Sequence, residues 1–158
     1  MSSDSISSSS FDPSSVPTQT LSSGAKIPVI GLGTFGSDHV TADQVANAVR
    51  DAASIGYRHF DCASVYGNEK EIGQAFTDVQ AQGISRDELW VTSKLWNDKH
   101  DKADVAASCE QSIADLQLDY LYHYDIHWPF PNFHPPSCDV SSRSDDAIHY
   151  LNAKYMEN

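Results

Sequence analysis

The chain has 158 residues, 40% hydrophobic and 20% charged, with a formal net charge of -12. That length holds one domain with a core, and the acidic balance argues against nucleic acid and anionic membrane surfaces as partners. No stretch is apolar for long enough to span a bilayer, and the scattered cysteines Cys62, Cys109 and Cys138 show neither metal-ligand nor redox spacing.

Those cysteines read as reduced thiols of a cytoplasmic protein. Residues 1–17 are Ser-rich, carry Asp4 and Asp12, and contain no Lys or Arg. The segment fits neither a secretory signal nor a transit peptide, and is expected to be a flexible, disordered tail. The domain itself is expected over 18–158.

Thr18 to Pro28 reads as a short hairpin with Ser23-Gly24 in its turn. Val29 to Phe35 then reads as a first buried strand. Thr41 with Gln44 has the capping-box spacing, and Val45, Ala48, Val49, Ala52 and Ile55 follow at helical intervals until Gly56. A second strand, His59 to Ser64, runs into a loop bearing Tyr66. Asn68 and Glu71 are expected to cap a second helix whose apolar face is Ile72, Phe76 and Val79. Leu89 to Lys94 is a third strand, Ala103 to Leu118 a third helix with Val105, Cys109, Ser112 and Leu116 on one face, and Tyr120 to Trp128 a fourth strand. Strand and helix alternate, which predicts parallel βαβ units. Pro129 to Asn158, rich in Pro, Ser and Asp, reads as a long loop ending in a hint of helix.

Asp61, Tyr66, Lys94 and His127 fall at, or just past, the carboxyl ends of successive predicted strands. In a parallel sheet those ends lie on one side, so the four side chains converge. Taken singly they are weak: Asp61 as a loop cap, Lys94 as a solvated charge, His127 as a core histidine, Tyr66 as a surface aromatic. Together they suit carbonyl chemistry. A lysine paired with Asp61 would favour the ionised phenol of Tyr66, which can then trade a proton with a substrate oxygen oriented by His127. Two other patterns are accidental. Gly31, Gly33 and Gly36 spell Gly-x-Gly-x-x-Gly, but the helix starts only after Thr41, so its N-terminus is too far on to hold a pyrophosphate. Tyr66-x-x-x-Lys70 straddles a loop and a helix start instead of one helix.

At these residues the chain resembles the aldo-keto reductase family. The stretches that carry the likeness are Gly-Leu-Gly-Thr-Phe (31–35), Tyr-Arg-His-Phe-Asp-Cys-Ala-Ser-Val-Tyr-Gly-Asn-Glu (57–69), Val-Thr-Ser-Lys-Leu-Trp-Asn (91–97), Leu-Gln-Leu-Asp-Tyr-Leu (116–121) and Ile-His-Trp-Pro (126–129). The resemblance implies an α/β fold: the hairpin and about four βα units, a partial TIM-type (β/α)₈ barrel. It implies Asp61, Tyr66, Lys94 and His127 as the catalytic tetrad. Gly33, Thr34, Phe35 and Asp61 would lie against the cofactor, and Phe35, Trp96, His127 and Trp128 would line the substrate pocket. No metal is implied.

The implied activity is NADPH-dependent reduction of a small aldehyde or ketone, or the reverse alcohol oxidation, with NADH as an alternative cofactor. The family's nicotinamide-stacking Tyr, its Ser-Asn pair and its basic phosphate clamp belong to the second half of the barrel, beyond the matched stretches. The competing reading is a truncated, non-catalytic chain acting as a binding subunit, with self-association of the half barrel as its route to closure. One departure from the family pattern lies within the match. His123 and Asp125 stand where apolar inward residues are usual, on the same strand face as His127, so Asp125 needs a partner or water.

Overall fold

The computed structural model describes residues 11–37 and 39–128. The hairpin forms from β1 (Thr18–Thr20) and β2 (Lys26–Pro28), antiparallel, with Gln19 opposite Ile27. Its turn needs Gly24, whose φ of 86° is one that side chains with a Cβ resist. The remaining strands, β3 (Leu32–Gly33), β4 (His59–Asp61), β5 (Trp90–Leu95) and β6 (His123–Ile126), make one parallel sheet in chain order. Between them run α1 (Ala42–Ser54), α2 (Glu69–Ala81) and α3 (Lys102–Asp115). The expected parallel βαβ architecture is therefore present.

The register sorts the residues of the sheet. Phe60 pairs with Val91, Asp61 with Thr92, Thr92 with His123, and Lys94 with Asp125. Alternation then puts Asp61, Thr92, Lys94, His123 and Asp125 on one face, and Phe60, Val91 and Ser93 on the face that the helices cover. The core lies on that covered side: Phe60, Val49, Ile72, Phe76, Val79, Leu89, Val91 and Leu116 are all buried. Phe60 meets Phe76 edge to face at 5.4 Å. Burying each such side chain stabilises the fold by about 1.5–3 kcal/mol. The Arg50–Asp78 ion pair, 2.7 Å, links α1 to α2 across the top of this layer.

Helix α1 begins as its sequence predicts. Thr41 Oγ1 accepts from the Gln44 amide, and Gln44 Oε1 accepts from the Thr41 amide. Gly56, at φ 114°, turns the chain out of it. Its buried stripe is Val45, Ala46, Val49, Ala52 and Ala53, so Ala48 and Ile55 are exposed, contrary to the periodic expectation. The stripe lies one residue round the helix because α1 packs against α2 as well as the sheet. On α3, Ser112 and the following Leu116 are buried, whereas Val105 is exposed and Cys109 only partly covered.

Three further expectations are corrected. Val29–Phe35 is not one buried strand: the ladder is confined to Leu32–Gly33, and Val29 and Ile30 are 54% and 55% exposed. The glycines weaken strand pairing there, and at Gly31 a Cβ would come within 2.8 Å of the His59 ring, so the chain bends past His59 instead of pairing with it. Residues 11–17 are not tail-like. Asp12 caps a short 3-10 turn, Pro13–Ser15, through the Ser14 amide at 2.9 Å, and the Phe11 ring lies over Gly56. The fourth strand spans only His123–Ile126 within the predicted Tyr120–Trp128. Residues 1–10 of the expected tail, and the expected loop Pro129–Asn158, lie outside the described residues.

Candidate active site

The parallel strand ends bring the four predicted residues to one place. Asp61 ends β4, and Lys94 sits near the end of β5 on the same face. Tyr66 stands on a 3-10 turn, Ser64–Tyr66, closed by Gly67 at φ 66°. His127 follows β6 directly, its amide donating to the Leu95 carbonyl at 3.0 Å.

Lys94 is the hub. Its Nζ donates to Asp61 Oδ1 at 2.8 Å, to the Cys62 carbonyl at 2.8 Å and to Tyr66 Oη at 3.4 Å. Burial pulls the Lys94 amine downward, but the hydrogen bond and charge of Asp61, with a contribution from Tyr66, hold it above the ordinary lysine value. The ammonium is thus fixed at neutral pH. His127 moves the other way: burial and the Lys94 charge lower it, outweighing Asp61 and Asp125. A neutral imidazole, with one N–H to donate, faces the site. Its Nδ1 is buried without a hydrogen-bond partner among the described residues. The Tyr66 and His127 rings meet edge to face at 5.8 Å.

The predicted pocket residues divide. Phe35 tilts against Tyr66 at 5.2 Å and is 68% exposed; Trp96 meets His127 edge-on at 5.0 Å. Trp128 is exposed beside them in sequence. Of the predicted cofactor residues, Gly33 has open space where a Cβ would stand, which lets a flat ring approach the backbone. Thr34 is fully buried and committed elsewhere: its Oγ1 donates to the Asp61 carbonyl at 3.1 Å. Gly33 thus leaves room beside Phe35 and Asp61 at the strand ends. Among the described residues no group of His, Cys, Asp or Glu is placed to hold a metal ion. No helix among them is long and apolar enough to cross a membrane. An apolar groove of about 360 Å³ between Phe11, Pro28, Ile30 and Ile55 opens at the opposite ends of the strands, and none of Asp61, Tyr66, Lys94 and His127 lines it.

Asp125 finds a partner. Its Oδ1 lies 3.2 Å from His123 Nε2, and the two side chains are 40% and 46% exposed. Both answers to the sequence's question therefore hold, pairing and water.

Two residues beside the tetrad have roles that the sequence reading did not give them, and the expected Asn68 side-chain cap is corrected. Asn68 stands at the N-cap of α2 but makes no cap bond; its Nδ2 donates instead to the Thr34 carbonyl at 2.9 Å. Glu69, in the first turn, is buried and accepts from Ser93 Oγ at 2.6 Å. A glutamate at a helix start reads as a solvated charge that favours the dipole, so its place at the end of the 57–69 stretch did not mark it as buried.

The chain is similar to known proteins of one family. Residues 29–156 match the pattern described as the Aldo/keto reductase family. The Bos taurus protein named Aldo-keto reductase family 1 member A1 is 45% identical over 139 residues, covering 87% of this chain and 42% of its own length. The Xenopus tropicalis protein of the same name is 50% identical over 117 residues, 73% of this chain and 35% of its own. The chain thus spans less than half the length of these curated relatives. Among solved structures, a Bombyx mori aldo-keto reductase in complex with NADP superposes with a TM-score of 0.72 at 36% identity, over 90% of this chain and 47% of that one. The aldose reductase from Schistosoma japonicum gives 0.69 at 35% identity, over 89% and 49%.

Proposed function

The chain belongs to the aldo/keto reductase family, and on that footing we propose that it reduces a small aldehyde or ketone, or oxidises the alcohol in reverse, with NADPH, or NADH in its place. The observation that carries this reading is Lys94 Nζ standing 2.8 Å from Asp61 and 3.4 Å from the Tyr66 hydroxyl, with His127 edge-on to the same phenol.

The dinucleotide, when bound, supplies hydride to the carbonyl carbon. Tyr66 gives its hydroxyl proton to the carbonyl oxygen. The Lys94 ammonium faces the phenol oxygen on which negative charge is then left, and Asp61 holds that ammonium in place. His127, neutral, donates a hydrogen bond that orients and polarises the carbonyl. Gly33, Phe35 and Asp61 receive the nicotinamide end, with Thr34 shaping the backbone between them through its bond to Asp61. Phe35, Trp96, His127 and Trp128 enclose the substrate. The test is Tyr66→Phe: kcat should fall about 10²- to 10⁴-fold, the usual worth of general acid help, with NADPH affinity unchanged. Retention of half the wild-type kcat would remove Tyr66 from this role.

One observation favours a second reading. Among the described residues β3 and β6 are the sheet's edges, flanked by exposed Ile30, Phe35 and Ile126. Unpaired edges and exposed apolar groups invite association, so the chain would act as a partner or self-associating subunit without turnover. NADPH titration by tryptophan fluorescence, with mass by light scattering, separates the two. A monomer with micromolar NADPH affinity supports the enzyme, and an associated species that does not bind NADPH supports the subunit.

A further inference from the structure

The dipeptide Asn68-Glu69 reaches to both sides of the site at once. Asn68 holds the Thr34 carbonyl just past β3, at 2.9 Å, and Glu69 holds Ser93 on β5, at 2.6 Å. Tyr66 lies two residues before this pair, and Lys94 lies one residue after Ser93. Glu69 is only 5% exposed. A buried carboxylate costs several kcal/mol of desolvation, so an ordinary helix start would leave it in water. The Ser93 hydroxyl makes the well-formed bond to it, while the nearby Ser112 hydroxyl has no partner of good geometry. Nor is Asn68 an ordinary cap, since its side chain crosses to another strand.

Strand alternation explains what such a bond can do. Ser93 points to the helices because Lys94 points to the site, so a bond on the back of β5 sets where the lysine on its front can reach. We propose that Glu69 is a positioning residue: through Ser93 it locks β5 against the turn that carries Tyr66, and so sets the Lys94 Nζ–Tyr66 Oη separation of 3.4 Å. Asn68 fixes the same turn against the Thr34 backbone. The inference rests on the roles given above to Tyr66 and Lys94.

The experiment takes the full chain and three variants, Glu69→Ala, Glu69→Asp and Glu69→Gln, each checked for native circular dichroism. The first readout needs no turnover: the NMR titration of the Lys94 amine, assigned with Lys94→Met. The groups facing that amine are Asp61, the Cys62 carbonyl, Tyr66 and His127, with Asp125 in register on β6, and the Glu69 carboxyl and the Cys62 thiol couple to it through their charge. In the wild type it titrates above the ordinary lysine value. Glu69→Ala and Glu69→Asp, the latter keeping the charge but falling short of Ser93, should bring it down toward that value. Glu69→Gln, whose amide oxygen accepts the same bond, loses only the charge and should lower it least of the three. The second readout is kinetic: a loss of about 10²-fold in kcat for the first two variants, the usual consequence of a displacement near 1 Å, with KM for NADPH unchanged and kcat restored by Glu69→Gln.

A folded Glu69→Asp protein with a wild-type Lys94 titration overturns the proposal, and so does a Glu69→Gln protein whose Lys94 titration falls as far as that of Glu69→Asp. Should Glu69→Ala fail to fold, Glu69→Asp against Glu69→Gln still decides. A wild-type chain without turnover, whose Lys94 nonetheless titrates as expected across the series, removes the reductase reading and leaves the positioning role standing.

Discussion

Gly73→Ala sets helix propensity against packing, and the structure says which wins. Gly73 lies inside α2, where alanine is favoured over glycine by about 1 kcal/mol in an isolated helix. Here, however, α2 crosses the end of α3. A Cβ on Gly73 would stand 2.7 Å from the Leu116 carbonyl carbon and 2.9 Å from its Cα, with the Asp115 carbonyl oxygen nearer still. All three are backbone atoms, so no rotamer change relieves the contact. Carbon atoms pack best at about 3.5–4.0 Å, so the helices must part by roughly 1 Å. That motion pulls α2 off Leu116, which is fully buried. Overpacking costs about 1–3 kcal/mol, and three backbone contacts under 3.0 Å put this site at the upper end, about 2–3 kcal/mol, so subtracting about 1 kcal/mol of propensity leaves a net loss of about 1–2 kcal/mol. Urea unfolding followed by far-UV circular dichroism reads it. With a slope of about 1–3 kcal/mol per molar urea, the midpoint should fall by roughly 0.5–1 M. An unchanged or higher midpoint would refute the close approach of the two helices.

Other consequences are open to test. Phe76→Ala should cost about 3–5 kcal/mol, because the ring is fully buried against Phe60 and leaves a cavity; a loss under about 2 kcal/mol in the same melts would contradict that packing. Asp125→Leu should change stability by less than about 0.5 kcal/mol, since the His123–Asp125 pair is half exposed and screened; a loss above about 1.5 kcal/mol would mean the pair holds the sheet. Burial raises the Glu69 carboxyl, with the Ser93 and Ser112 hydroxyls opposing. The fold therefore favours its protonated form. The stability this lends is complete below the unfolded value, about 4.3, and is lost as pH rises through the folded one. The stability of Glu69→Gln relative to wild type should accordingly grow between pH 4 and 7, and a constant difference would sink the assignment. Burial pushes the Cys62 thiol up to about 12. It should resist a thiol reagent in the native state and react once the chain is unfolded; rapid native labelling of Cys62, seen by peptide mass, would show that it is not buried.

What the sequence alone determined is what short-range chemistry decides. The Thr41–Gln44 box needs residues three apart, so the start of α1 was visible before any fold was known. The stripe Ile72, Phe76, Val79 was legible for the same reason. Asp61, Lys94 and His127, each with an ordinary structural reading, stood out together because they fall at the ends of successive strands, which a parallel sheet brings to one side. Tertiary structure decided the cases in which a residue chooses between a near partner and a far one. Val29 to Phe35 is apolar enough for a strand, yet the His59 ring, 28 residues beyond Gly31, claims the space beside it. Asn68 could have capped its own helix, but a carbonyl 34 residues back offered a buried bond. Glu69 looked like a surface charge until β5 supplied a hydroxyl across the core. In each case the local option is open to the chain by its chemistry, and only the folded chain brings the distant group close enough to displace it.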